Sequence, residues 1–560
     1  MKTSNTWLIV ILGICILSFT SCKNNPKPNP ELASIGLFRG ELALCGSGQF
    51  GEVSFSLACD YETRADFDLA VSLLHSFEYV EAEKAFVKVI DKDPKCVMAY
   101  WGVAMSNFHP LWSPPSKEEL EKGSKILKIA ESLTKSERSG EYLHAVNAFY
   151  TDWESLDHSI RIKRFESEME QIYNAYPDDK EAAIFYALAL KASADITDKN
   201  YTNERKAGAI LEALFPDQPD HPGIAHYIIH NYDNPVLAEM ALPTARRYAE
   251  IAPASAHAQH MPSHIFTRLG LWEESIESNL NSTSSAVCYA SSIDENAHWD
   301  EEVHGMGYLV YAYLQKGDNN KAQEQFKYLK GFEKVFPANF KIAYTAAAIP
   351  SRIALENRDW TAAAELQLPL IDIVPWDKFP WERSIMHFAK AMGAIHLGDT
   401  AFAENELKTL KLNRQELITL GDIYKANQIE IQINTVQAWI HMYEGQNEEA
   451  LVLMQKAVEM ESITAKHPVT PGEVLPAVEL FGDMLLAMGK SEEALTAYQL
   501  DLKTHPNRFN GLYGAAIAAK ESGNIEKSGF YFQKLLMISS SESDRTELKE
   551  AKKFLNYYKA

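Results

Sequence analysis

Near the C-terminus the chain repeats itself at a fixed interval: Ala494 and Tyr498 recur 34 residues later as Ser528 and Phe532. In each copy a small residue and an aromatic one lie four positions apart, on one face of a helix. Gly482 and Pro506 frame the first unit, and Ala516 precedes the small residue of the second. The same order opens the repetitive part of the chain, where Leu69, Leu73, Ala82, Phe86 and Val89 lead to Asp93-Pro94. Weaker copies lie between, at Ala241, Ala245, Tyr248 and Pro253, at Tyr313, Ala322 and Phe326, and at Ala450, Met454 and Ala457. Gly317-Asp318-Asn319, Glu444-Gly445-Gln446-Asn447 and Gly523-Asn524 supply turns between helices. A helix pair of this length cannot bury its apolar face alone, so successive pairs must stack into one continuous body.

This spacing resembles the tetratricopeptide (TPR) repeat, which implies an all-α, TPR-like helical-repeat solenoid with a concave face. Recognisable repeats are expected over 63–114 and 431–560, and His-rich TPR-like repeats over 221–330. Residues 115–220 and 331–430 are helical by pattern but degenerate as repeats. TPR surfaces chiefly bind proteins or peptides, so a partner in the concave groove is the default expectation. Fold alone decides none of this.

The N-terminus reads as an export segment. Residues 1–21 carry a single Lys, then a run from Trp7 to Phe19 with almost no polar residue, too short to span a bilayer comfortably. Thr20-Ser21-Cys22 resembles the lipobox of bacterial lipoproteins, although Phe19 stands where that pattern usually has a smaller aliphatic residue. The resemblance implies lipidation at Cys22. The polar, Pro-rich residues 22–32 then form a tether. No acidic cluster follows Cys22, which points to an outer-membrane lipoprotein on the periplasmic face rather than the cell surface. Contact with the membrane is expected through the lipid alone, since no later run of about eighteen apolar residues exists.

Residues 33–62 form an N-terminal extension in which Val53, Phe55 and Leu57 alternate after a Gly-rich stretch. This suggests a small hairpin, with Cys45 and Cys59 placed to close it by a disulfide. Cys96 and Cys288, in helical apolar contexts, read as buried thiols. The net charge of −22 repels nucleic acid and anionic lipid, so a nucleic-acid role is not expected.

Familiar catalytic signatures are missing: there is no phosphate-binding Gly-rich loop, no Gly-x-Ser-x-Gly, no His-Glu-x-x-His and no Cys-x-x-Cys. Histidine is what stands out, with eight of the chain's 17 lying between His221 and His304. His226 and His230 are spaced i, i+4, as are His260 and His264, and the second pair follows the first by 34 residues. Equivalent positions on successive helices lie side by side, roughly 8–10 Å apart, so imidazoles from both can converge on the concave face. His257, Asp233 and, one helix further on, His304 extend that face.

Neutral imidazoles in this pattern suit a transition metal such as Zn, Cu, Fe or Ni. Pro262 falls inside the helix expected for His260 and His264, a local conflict of the kind that marks functional places. The same histidines could equally serve as helix caps or as contacts to a peptide. His221, before Pro222, reads as a helix N-terminus. His75 and His109 read as structural.

Four segments resemble the hallmark stretches of a family of exported bacterial TPR proteins: Cys96 to Met105, His221-Pro-x-x-x-His-Tyr-x-x-His230, His257-x-x-His-Met-Pro-Ser-His-Ile-Phe266 and Asn507 to Gly514. The likeness implies the solenoid architecture and gives weight to the histidine segments. It supplies no reaction. The leading expectation is therefore a lipid-anchored scaffold whose His-lined groove takes a metal or small ligand. A metalloenzyme, an oxidoreductase or hydrolase assisted by Asp233, Glu301 or Glu302, is the alternative. A glycan-binding uptake lipoprotein is a third.

Overall fold

The computed structural model describes residues 29–45, 49–55, 59, 61–111, 114–464 and 466–559. Cys22 and the segment expected to direct export, together with Gly46 to Gly48 and Leu57 of the expected hairpin, lie outside them. From Arg64 to Lys559 the chain is a succession of α-helices, each touching the next along the stack, and it is a TPR-like helical-repeat solenoid. No described helix is long and apolar enough to cross a membrane.

The repeat pattern is a packing device. Tyr498, fully buried, sits between Gly482 and Gly514 on the helices to either side, and a Cβ at these glycines would come within 2.8 and 2.3 Å of its ring. The aromatic position of one helix thus fills the space left by small residues on its neighbours. Among the described residues the sole strands are His298–Trp299 and Val335–Phe336, which pair in parallel.

The N-terminal extension lies along the solenoid. Its described residues form no strand. They are held by hydrogen bonds from the Ala254 amide to the Gln49 carbonyl (3.1 Å) and from the Glu52 amide to the Asp220 carbonyl (2.9 Å). One of the alternating apolar residues serves as a plug: Phe55 is fully buried among Phe67, Trp101, Tyr142 and Phe185.

The cysteine expectations need correction. Cys45 is bonded to Cys288 and Cys59 to Cys96, so Cys45 and Cys59 do not pair, and neither Cys96 nor Cys288 is a free thiol. Because the extension runs along the helices, the residues brought near each cysteine come from the repeats. Neighbours in sequence are carried apart.

The far end of the chain folds back on the middle. Arg508, fully buried, meets Glu479 through Nε and Nη2 (2.8 and 3.0 Å), Glu356 (3.0 Å) and the Tyr311 hydroxyl (3.0 Å). The Trp272 indole donates to the Asn507 carbonyl (2.8 Å). Gly270, at φ +66°, lets Pro506 approach so closely that a Cβ there would lie 2.2 Å from the Pro506 carbonyl. These contacts join residues 506–510 to residues 270–356 and fix the helix that carries His304.

Candidate metal centre

Six of the predicted residues meet at the inner face. The Pro222–Tyr232 helix presents His226 and His230, with ring centres 4.7 Å apart. His257 and His260 lie on Ala256–His260, His264 on Pro262–Leu269, and His304 on Asp300–Gln315. The conflict posed by Pro262 is resolved by splitting one expected helix into two short ones. Met261 keeps helical angles at the joint, and Pro262 opens the second helix, where its missing N–H costs nothing.

The histidines divide into two triads. The ligating nitrogens of His226, His230 and His257 lie within 4.8 Å of one another, as do those of His260, His264 and His304. The two i, i+4 pairs therefore do not share one centre, as their common spacing suggested. Each recruits a third imidazole from a following helix, because pairs on adjacent helices are too far apart for four imidazoles to reach one ion. The triads nevertheless border each other, with 6.4 Å between the rings of His230 and His264 and between those of His257 and His260.

The hydrogen bonds fix the protons. His226 Nδ1 faces the His75 carbonyl at 2.7 Å, an acceptor only, so Nδ1 carries the hydrogen. His260 Nδ1 faces Asn279 Oδ1 at 2.7 Å, and that oxygen is identified because Asn279 Nδ2 donates to the Ser275 carbonyl. His264 Nδ1 faces Asp233 Oδ2 at 3.0 Å, and His257 Nδ1 faces Glu301 Oε2 at 3.6 Å. On His226, His260 and His264 an oxygen acceptor holds the Nδ1–H tautomer and leaves Nε2 as a bare lone pair, whereas the 3.6 Å separation at His257 is too long for a hydrogen bond.

The His260 and His264 lone pairs point at one another, and the His226 lone pair points at His257 Nε2. His260 and His264 bring their Nε2 atoms to 3.0 Å, and His226 and His257 to 3.1 Å. His230 Nε2 is buried with no hydrogen-bond partner. The Tyr308 hydroxyl stands 3.3 Å from both His264 Nε2 and the Val469 carbonyl, but its single proton serves one of them and leaves His260 Nε2 without a donor. Facing lone pairs repel unless a cation lies between them. Two nitrogens each about 2.0–2.1 Å from one ion stand about 3.0–3.4 Å apart, which is the spacing found.

A third cluster gives the contrast. His221 Nδ1 accepts from the Ile224 amide, so its Nε2–H donates to Glu181 Oε1 (2.9 Å). His75 Nε2 meets Glu181 Oε2 at 3.0 Å, and its Nδ1 meets the Tyr227 hydroxyl at 3.0 Å. Every nitrogen here has a partner of the right kind, so this buried group is a closed hydrogen-bond network with no place for an ion. His221 caps its helix as expected, and His75 is structural.

Electrostatics favour neutral imidazoles at the inner face. Burial first, and then repulsion between neighbouring rings, holds His226, His230, His260 and His304 well below the usual imidazole range. Burial lowers His264 to about 4, although Asp233 pulls the other way. Burial opposes charge on Asp233, but Lys466 and Arg268 outweigh it and keep the carboxylate ionised. Its Oδ1 accepts from Arg268 (2.8 Å) and its Oδ2 from His264 and Lys466 (3.3 Å). Asp233 therefore orients His264 and has no oxygen left to act as a ligand.

No protein-family model matches the chain, and no curated protein does. Solved structures that it resembles include a human IFIT1 dimer with m7Gppp-AAAA (14% identity, 86% of this chain and 96% of that one, TM-score 0.37). Yeast Tom70 (10%, 89% and 96%, 0.35) and the APC/C hetero-tetramer Cut9–Hcn1 (11%, 89% and 95%, 0.26) are others. Likeness at this level carries no argument about function.

The sequence did not reveal the residues that set the tautomers. Asn279 is one polar residue among many on a long helix, and Glu181 lies 106 positions from His75. The groove is also closed where it was expected to be open: His226, His257, His260, His264 and His304 are buried, and the face opens only onto a cavity of about 670 Å³.

Proposed function

We propose that this protein is a transition-metal-binding TPR-like scaffold of the cell envelope, held to a membrane by a lipid on Cys22. The observation that carries the metal reading is the facing pair of Nε2 lone pairs on His260 and His264, 3.0 Å apart, with acceptors behind both rings that fix Nδ1–H. The donor set is all imidazole, and the nearby carboxylates are engaged behind the rings or with cations. That chemistry suits Zn, Cu, Ni or Fe and disfavours Mg and Ca, which seek oxygen. Two bordering triads imply two ions per chain. The envelope reading is supported by the two disulfides, which persist in oxidising compartments.

The test is metal content and melting temperature of the purified protein, with and without chelator, against His230→Ala and His260→Ala. Stoichiometric metal and a chelator-sensitive melt in wild type, reduced in each variant, are expected. A wild-type chain that takes up none of Zn, Cu, Fe or Ni and gains no stability from them overturns the reading. For the anchor, labelled fatty acid should enter the wild-type chain and not Cys22→Ala; absence of label from wild type overturns it.

A further inference from the structure

The cavity beside the triads belongs to neither the repeat packing nor the metal shells. Its wall includes His230 and His257 from the first triad and His264 and His304 from the second, so one occupant meets both. Its volume of about 670 Å³ is that of a site for a small organic molecule, well short of what a folded partner requires. It reaches the surface near Phe38 and Val80, which are 46% and 40% exposed.

The wall specifies the kind of occupant. Phe77, stacked on His257 with 5.6 Å between ring centres, begins an aromatic lining continued by Tyr79, Trp299, Phe340 and Tyr424. The charged side chains of the wall are engaged within the protein: Glu81 meets Lys84, Glu119 meets His109 and the Ser116 amide, and Glu78 accepts from Ser255 while burial pushes it up to about 8, which keeps it neutral. Lys341 is bound by Asp300 and Glu301, Lys425 lies against Glu382 and Asp422, and Glu83 is held by Lys122 and Asn107. A ligand carrying a net charge finds no free counter-charge among these, whereas a flat ring finds stacking partners on several sides. At the inner end the groups offered are imidazoles that we have assigned to metal.

We infer that the cavity is a binding site for a neutral aromatic molecule bearing a phenolic or catecholic hydroxyl, which reaches the metal-holding histidines while its ring lies between the aromatic walls. The inference rests on the metal reading above. On binding, the hydroxyl loses its proton to solvent and the oxygen takes a coordination position on the ion; no electron is transferred.

The test uses the full chain loaded with zinc, its content measured first, and 4-nitrocatechol as a chromophoric probe at about pH 5.5, where the free probe is neutral. One probe per zinc-loaded chain should bind, with the absorption shift of the metal-bound catecholate and at least tenfold weaker binding to the zinc-free chain. Val80→Trp and Leu111→Trp, which enlarge two lining residues outside both triads, should each keep the zinc and weaken the probe at least tenfold. A zinc-loaded wild type that does not bind the probe, or binding indifferent to both substitutions in folded protein, overturns this inference and leaves the metal reading standing. A chain that takes up none of Zn, Cu, Fe or Ni overturns the metal reading, and this one with it.

Discussion

At the residue scale, the assignment turns on where each imidazole keeps its proton. Asn279 is the clearest lever, because it is neutral and contacts His260 from behind. Asn279→Ala should free that ring to change tautomer and weaken metal binding about 10–100-fold with little change in fold, measured by competition with a chromophoric chelator. His221→Gln should do the opposite. It breaks the closed network around Glu181, costing about 1–3 kcal/mol in denaturant unfolding, and leaves metal stoichiometry unchanged. Loss of metal in His221→Gln with none in Asn279→Ala would reverse the assignments.

The pH dependence follows from the same residues. An unfolded imidazole takes up its proton near 6.5, and folded His264 does so only near 4. Its neutral, ligating form therefore persists as pH falls below 6.5. In the metal-free chain the stability linked to this group is complete above 6.5 and is lost as pH drops from 6.5 toward 4, because the unfolded state then binds the extra proton. Metal should accordingly stay bound through dialysis at pH 5.5 and leave as pH nears 4. Half-release above pH 6.5 would contradict the buried, neutral site.

At the scale of elements, the extension and its cysteines show what sequence order conceals. The alternation of Val53 and Phe55 read as a strand pattern, yet Phe55 is an anchor in an aromatic cluster drawn from four helices. Alternation reports burial on one side, and a strap lying across helices satisfies it as well as a hairpin does. The Cys45–Cys288 bridge spans 243 positions and in the chain-entropy model adds about 5 kcal/mol. Non-reducing peptide mapping should recover Cys45 linked to Cys288 and Cys59 linked to Cys96, and Cys288→Ser should lower the unfolding midpoint. Recovery of a Cys45–Cys59 peptide would restore the hairpin expectation and refute the arrangement described.

The helices themselves were more legible. The small and aromatic positions around Tyr498 repeat because each aromatic fills a space kept by glycines, and that constraint is local enough to show in one sequence. The His226–His230 and His260–His264 pairs were legible for the same reason, each being a local spacing, on one helix for the first and across the Met261 joint for the second. Their division into two triads was not, since it depends on His257 and His304, whose partners are set by how neighbouring helices stack.

At the scale of the whole molecule, closure matters as much as repetition. Arg508 joins the C-terminal repeats to Glu356 and Tyr311, far from it in sequence, so no periodicity announces it. Arg508→Ala strands the buried carboxylates of Glu356 and Glu479 and should cost about 3–5 kcal/mol, read from denaturant unfolding of the metal-free chain. An effect below about 1 kcal/mol would mean that the ends are not held together by this ion pair. Closure also fixes the helix bearing His304 against those bearing His260 and His264, so the second triad should be the more sensitive to this substitution.

Two all-histidine sites side by side inside the solenoid should be visible to X-ray absorption of protein loaded with zinc or copper, together with elemental analysis of the same sample. Two ions per chain are predicted, each with nitrogen neighbours at about 2.0–2.1 Å, the outer-shell scattering of imidazole rings and no sulfur. No more than one ion per chain, or a first shell built from sulfur or carboxylate oxygen without imidazole, would contradict the two-site arrangement.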